Sequence, residues 1–142
     1  MILLDTNHLS EFKYRHHPRS MRLRGRMDAH PDQRFATTII AYEEQHRGWL
    51  SVIARHSDPR KQVGAYRELS ALARFLRNWE IVDFDDESAE QFTWLKKARP
   101  RVSTMDLKMA AIALRHDALL LTANRKDFTQ IPGLRFENWL EE

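Results

Sequence analysis

Ile2-Leu3-Leu4-Asp5-Thr6-Asn7 stands at the head of the chain, and its reading decides the rest. A short apolar run stopped by turn residues is the pattern of a strand buried on both faces, as in a parallel sheet. Thr6 or Asn7 can then cap a helix through Ser10 and Glu11.

Working outward, residues 13 to 33 are basic and His-rich, with Pro18, Gly25 and Pro31, and read as a loop plus one helix. Phe35-Ala36-Thr37-Thr38-Ile39-Ile40 is rich in β-formers and reads as a second strand. From Ala41 the pattern turns helical. Glu43 and Glu44 are expected in the first turn, where carboxylates suit the helix dipole. Pro59 opens another helix, with Val63, Tyr66, Leu69, Leu72, Ala73 and Leu76 at helical spacing as a core stripe against the preceding helix. Trp79 to Phe84 reads as a third strand. Asp85 or Asp86 then starts a helix through Ala89, Phe92, Leu95 and Lys96, which Pro100 ends. Ser103-Thr104-Met105-Asp106 leads into an Ala-rich apolar helix, Leu107 to Leu114, whose small residues allow close packing on a sheet. Ala118 to Thr122 reads as a fourth strand, and Leu134-Arg135-Phe136 as a short fifth. This alternation predicts an α/β fold: three α/β/α layers around a four- to five-stranded, mostly parallel sheet. With no repeat, low-complexity tract or flexible linker, residues 1–142 are expected to form one domain.

Composition narrows the chemistry. A chain of 142 residues can bury one sizeable core. The absence of cysteine excludes disulfide scaffolds, Cys-ligated metal centres and thiol nucleophiles. No basic, apolar leader is evident and no apolar run approaches a membrane span, so a cytoplasmic location is expected. The net charge of +3 is mild. More informative is the crowding of Lys13, Arg15, Arg19, Arg22, Arg24 and Arg26, with no acid between them. Such a stretch can follow a phosphate backbone, or can simply be a solvated face.

In open parallel sheets, ligands sit outside the carboxyl ends of the strands. Four acids are expected there: Asp5 after the first strand, Glu44 after the second, Asp106 at the Ala-rich helix, and Asp127 beyond the fourth strand. Clustered carboxylates repel one another, so a cation makes the cluster tolerable. Oxygen donors suit Mg²⁺ or Mn²⁺, and a divalent cation activates water toward a phosphodiester. Each acid also has a plainer reading. Asp5 and Asp106 could be helix caps or first-turn acids, Glu44 competes with its neighbour Glu43, and Asp127 could serve a turn. Thr6 and Ser103 could hydrogen-bond a carboxylate, and Asn7 and Asn124 lie at strand exits. None of the seven histidines shows zinc spacing; His16 and His17 fit an exposed loop, while His8 lies near Asp5. Trp49, Trp79, Trp94 and Trp139 suit a core or a dimer contact better than base stacking.

The local sequences go further. Leu3-Leu4-Asp5-Thr6-Asn7 with Leu9-Ser10 resembles the opening motif of PIN-domain ribonucleases, particularly VapC-type toxins. Thr38-Ile39-Ile40-Ala41-Tyr42-Glu43-Glu44-Gln45-His46-Arg47-Gly48 resembles their second motif, with the acid four residues before a glycine, which selects Glu44 over Glu43. Thr104-Met105-Asp106-Leu107-Lys108-Met109-Ala110-Ala111-Ile112-Ala113 resembles the third. Leu121-Thr122-Ala123-Asn124-Arg125-Lys126-Asp127-Phe128, with Ile131-Pro132-Gly133-Leu134 and Glu137-Asn138-Trp139, resembles the C-terminal end. The ordered set spans nearly the whole chain.

The resemblance implies a PIN-like domain and a Mg²⁺- or Mn²⁺-dependent endoribonuclease, usually the toxin of a type II toxin–antitoxin pair. It implies Asp5, Glu44, Asp106 and Asp127 as the catalytic acids, with Asp5 and Asp106 as direct metal ligands and Thr6, Asn7, Ser103 and Asn124 in support. A homodimer and a small antitoxin are the implied partners. Arg22, Arg24, Arg26, Arg125 and Lys126 are candidates for RNA contact. Two departures stand out. The segment between Asp5 and Glu44 is long and basic, and Asn124 stands where some PIN domains place an acid. The rival readings are a non-catalytic RNA-binding module and a metal-dependent hydrolase of a small phosphorylated substrate. Asn7, at the place of a haloacid dehalogenase's second aspartate, argues against covalent aspartyl chemistry.

Overall fold

A computed structural model describes residues 1–12 and 16–141. Lys13 and Arg15, at the head of the basic stretch, lie outside the described residues. Five parallel strands form one sheet in the order β3-β2-β1-β4-β5: β1 Ile2–Leu4, β2 Phe35–Thr38, β3 Ile81–Val82, β4 Leu119–Leu121 and β5 Phe136–Glu137. The opening segment is the centre of the sheet. Leu3 pairs with Ala36 on one side and Leu120 on the other, and all three are fully buried. Alternate β1 side chains enter opposite layers. Leu3 joins a core with Leu120, Ile112 and Phe128, whereas Ile2 and Leu4 join Leu23, Leu121 and Trp139. Both layers thus depend on three consecutive apolar residues.

Seven helices among the described residues cover the sheet: α1 Thr6–Glu11, α2 Pro18–Asp28, α3 Ile39–Ala54, α4 Pro59–Leu76, α5 Asp86–Lys97, α6 Thr104–Arg115 and α7 Arg125–Phe128. Helix α6 explains its alanines. Ala110, Ala111 and Ala113 have no solvent exposure, and the helix lies against α3 and α5 as well as β4. Any larger side chain at these positions would have to displace a packed neighbour.

The expected three-layer α/β/α architecture is the observed one, and the sheet is wholly parallel. The differences are local. Asp5, rather than Thr6 or Asn7, caps α1, its carboxylate accepting the His8 N–H. Strand β2 ends at Thr38, not Ile40, because the Thr38 hydroxyl accepts the Ala41 N–H and starts α3 two residues sooner. Glu43 and Glu44 consequently lie in the second turn of α3, and its first turn holds no acid. Strand β3 keeps only Ile81 and Val82 of the expected six residues. On the stripe of α4, Leu72 and Leu76 are buried with Leu9, whereas Val63 and Tyr66 are exposed. The loop after β4 contains the short helix α7, capped by Asn124.

Candidate active site

The carboxyl ends of the three central strands bring their following residues together. Asp5 leaves β1 with its N–H donated to the Leu121 carbonyl of β4. On the other side, the buried Thr37 hydroxyl donates to the Leu4 carbonyl at 2.8 Å, tying β2 to the same end of β1. Thr122 closes β4, and its hydroxyl accepts the Asn124 N–H at 3.1 Å. These bonds hold the start of α1, the start of α3 and the entry to α7 at one edge.

Two sets of side-chain hydrogen bonds hold acids at that edge. The Thr6 hydroxyl donates to Glu44 at 2.7 Å, joining α1 to α3. The Asn124 side-chain amide donates to Asp106 at 3.1 Å and to Asp127 at 2.9 Å, joining α6 to α7. Glu44 and Asp106 both feel the charge of Asp5; Glu44 also feels Asp106, and Asp106 feels Asp127. Glu43 takes a different course. It pairs with Arg47 one turn on, at 2.6 Å, and so leaves Glu44 as the acid that faces the cluster.

Electrostatics bear out the cost of this arrangement. Burial pushes the Glu44 carboxyl above its ordinary value, the Thr6 hydrogen bond opposes the rise, and the charges of Asp106, Asp5 and Glu43 add to it. Burial raises Asp106 too; hydrogen bonds from Ser103 and Asn124 oppose the rise, and Asp5 and Asp127 reinforce it. The Ser103 hydroxyl also caps α6 by accepting the Asp106 N–H at 3.1 Å. Asp106 is therefore a first-turn acid whose carboxylate remains turned to Asn124.

Among the described residues, no three His, Asp or Glu side chains stand close enough to ligate one ion together. The set still fits a hard divalent cation of the Mg²⁺ kind, which takes one or two carboxylates directly and keeps several waters. All the donors are oxygens, and two of the carboxyls sit beside other negative charges that a cation would offset.

Asn7 is exposed, and its side chain has no described role in the cluster. His8 is wholly buried, with its Nδ1 3.4 Å from Asp5 Oδ1. Its position three residues after Asp5 puts it over the cap of the same helix, which is the one signal the sequence offers for it. Three arginines of α2 contact the rest of the domain, while Arg19 is exposed: Arg22 donates to the Leu140 carbonyl at 2.8 Å, Arg24 to the Phe12 carbonyl at 2.9 Å, and the partly exposed Arg26 lies over the Trp139 ring. Arg125 and Lys126 are exposed on α7. His16 and His17 are exposed as expected, Trp139 is buried in the core, and Trp94 is 58% exposed.

A parallel α/β/α domain with acids gathered at the carboxyl edge of its central strands is the class that fold and site define. The chain belongs to the PIN-domain family, whose profile matches residues 2–134. It is similar to Ribonuclease VapC2 of Rickettsia felis, 36% identical over 74 residues, covering 49% of this chain and 55% of that protein. It is also similar to the tRNA(fMet)-specific endonuclease VapC of Salmonella typhimurium, 26% identical over 83 residues, covering 56% of this chain and 63% of that protein. The chain thus spans little more than half the length of the curated relatives it matches. In fold it resembles the VapBC2 complex of Rickettsia felis bound to a promoter DNA fragment, with TM-score 0.69 and 24% identity over 98% of this chain and 99% of that one. The FitAcB structure from Neisseria gonorrhoeae is alike to the same degree, with TM-score 0.69 and 22% identity over the full length of both chains.

Proposed function

We propose that this chain is a divalent-metal-dependent endoribonuclease and the toxin of a type II toxin–antitoxin pair, working with Mg²⁺ or Mn²⁺. The observation that carries the reading is the gathering of Asp5, Glu44, Asp106 and Asp127 at one sheet edge, where burial first, and neighbouring carboxylates second, push Glu44 and Asp106 above their ordinary values. Membership of the PIN family and likeness to named ribonucleases support it.

Asp5 and Asp106 would hold the cation directly. A cation there would offset the acids' charge and supply the activation of water for hydrolysis of an RNA phosphodiester, with water's oxygen joining phosphorus, the P–O3′ bond breaking and a proton going to O3′. Glu44, steadied by Thr6, would orient an attacking water and accept its proton, a task its raised proton affinity suits. Asn124 keeps Asp106 and Asp127 at a fixed separation. Arg125 and Lys126, exposed beside Asn124, contact the RNA backbone. A small antitoxin covers the acidic edge, the toxin pairs as a homodimer, and both act in the cytoplasm with their RNA.

The test is incubation of total RNA with the purified protein and Mg²⁺, Mn²⁺ or chelator. Cleavage is expected with either metal and none with chelator. Asp5→Ala and Asp106→Asn are expected to abolish it while the circular dichroism spectrum stays that of the parent. Full activity of both variants, or cleavage indifferent to chelator, refutes the assignment.

A further inference from the structure

We propose that His8 is a positioning residue for Asp5, its buried Nδ1–H being the donor that sets the Asp5 carboxylate for a divalent cation. The proposal rests on the metal-dependent reading above and adds a residue to it. The His8 ring has no solvent exposure. Its Nε2 accepts the Trp139 N–H at 3.1 Å, so that nitrogen carries a lone pair and the proton of the neutral ring sits on Nδ1. Nδ1 lies 3.4 Å from Asp5 Oδ1, close to the carboxylate but not aligned for a hydrogen bond, and has no hydrogen-bond partner. The fold thus fixes the tautomer from one side and leaves the resulting donor unpartnered beside Asp5 on the other.

Asp5 Oδ1 also accepts the His8 main-chain N–H at 3.1 Å. Both contacts fall on the same carboxylate oxygen, which leaves Oδ2 for the cation. A buried donor left without a partner is a cost that few native sites carry without a use. Outer-sphere donors of this kind fix the orientation of metal-binding carboxylates. The anchor behind His8 is itself secured: Trp139 Nε1 donates to Glu137 at 2.6 Å, Arg26 lies over the indole, and Arg22 holds the Leu140 carbonyl. The basic helix α2 therefore reaches the acidic edge through the C-terminal segment and the His8 ring.

Two substitutions separate positioning from plain anchoring. His8→Asn keeps a donor at the δ position but gives up the acceptor for Trp139. His8→Gln keeps an acceptor at the ε position and loses the δ donor. Mn²⁺ binding to the full chain is followed by electron paramagnetic resonance, alongside Tm and steady-state cleavage of RNA. His8→Gln is expected to bind Mn²⁺ about 10- to 100-fold more weakly with Tm near the parent's, and His8→Asn to stay within about 3-fold of the parent despite a lower Tm. For His8→Gln at saturating Mn²⁺ the KM for RNA is expected to be unchanged while kcat falls. Mn²⁺ affinities that follow the loss of Tm, or a His8→Gln variant that binds like the parent, overturn the positioning role alone. A parent protein that binds no Mn²⁺ overturns the metal-dependent reading and this proposal with it.

Discussion

Thr6 and Asn124 each present one donor to acids that repel one another, so their removal is expected to act on the acids' protonation. Without its hydroxyl, Thr6→Val leaves Glu44 with burial and three negative neighbours unopposed. The Glu44 carboxyl then rises further, and a larger share of it is protonated and idle at a given pH. The acidic limb of the kcat profile is expected to move to higher pH. On that limb, activity at a fixed pH falls about tenfold for every pH unit the limb moves. Asn124→Ala is expected to do the same through Asp106 and to loosen Asp127 as well. An unmoved acidic limb in both variants removes Glu44 and Asp106 from the rate-controlling ionisations. At this scale the sequence was legible where residue type and register coincide. Asp5, Asp106, Asp127, Thr6, Ser103 and Asn124 could be named as candidates from their places at strand exits and helix starts, whereas the choice of Glu44 over Glu43 came from the family resemblance. The plain and functional readings of Asp5 prove compatible, since Oδ1 caps α1 while the acid still contributes charge to Glu44 and Asp106. His8 was hard to weigh because its decisive partner, the Trp139 N–H, lies 131 residues away.

Helices α2 and α7 both carry cations, but their surroundings divide the work. The Arg24 guanidinium bonds the Phe12 carbonyl and lies over the Phe12 ring, 4.4 Å from its centre. Arg24→Ala is expected to cost about 1–3 kcal/mol of stability, the range for a charge-assisted bond lost with its packing, measured by urea unfolding. RNA affinity per folded molecule is expected to stay as it was. The pair Arg125→Ala and Lys126→Ala is expected to behave in the opposite way. Tm holds, while RNA binding weakens and the slope of log affinity against log salt falls by about 0.7 per charge removed. A double variant with an unchanged salt slope places the RNA elsewhere. The basic run was legible as a composition, but not as a clamp, because charge alone does not show which carbonyls and rings lie opposite. The same limit shaped the strand ends. Threonine and isoleucine favour a strand at 38 to 40, yet the Thr38 hydroxyl captures the Ala41 N–H and tertiary context starts the helix there. Long apolar helices such as α6 were legible in kind and at the C-terminal end, since their burial and their period agree, though α6 starts at Thr104, three residues before Leu107, because Ser103 caps it.

For the molecule as a whole, the acidic edge is where function works against folding. Glu44 and Asp106 bind protons more tightly folded than unfolded, so their ionisation destabilises the metal-free fold. The stability they contribute is complete below their ordinary values, 4.5 and 3.8, and is lost as pH rises through the raised ones. The Asp106→Asn variant isolates its share, because the amide keeps the shape and removes the charge. Its Tm without metal is expected to match the parent's near pH 4 and to exceed it at pH 7, the direction that the raised Asp106 carboxyl requires. Mn²⁺ is expected to reverse the order. A cation bound only by the folded parent adds about 2.7 kcal/mol at a hundredfold excess over its Kd, and the variant, lacking a ligand, gains far less. Differential scanning calorimetry at the two pH values, with and without Mn²⁺, reads all four states. A parent more stable than Asp106→Asn at pH 7 without metal would mean that the carboxylate is satisfied by its hydrogen bonds, and the cluster would then need no cation to exist.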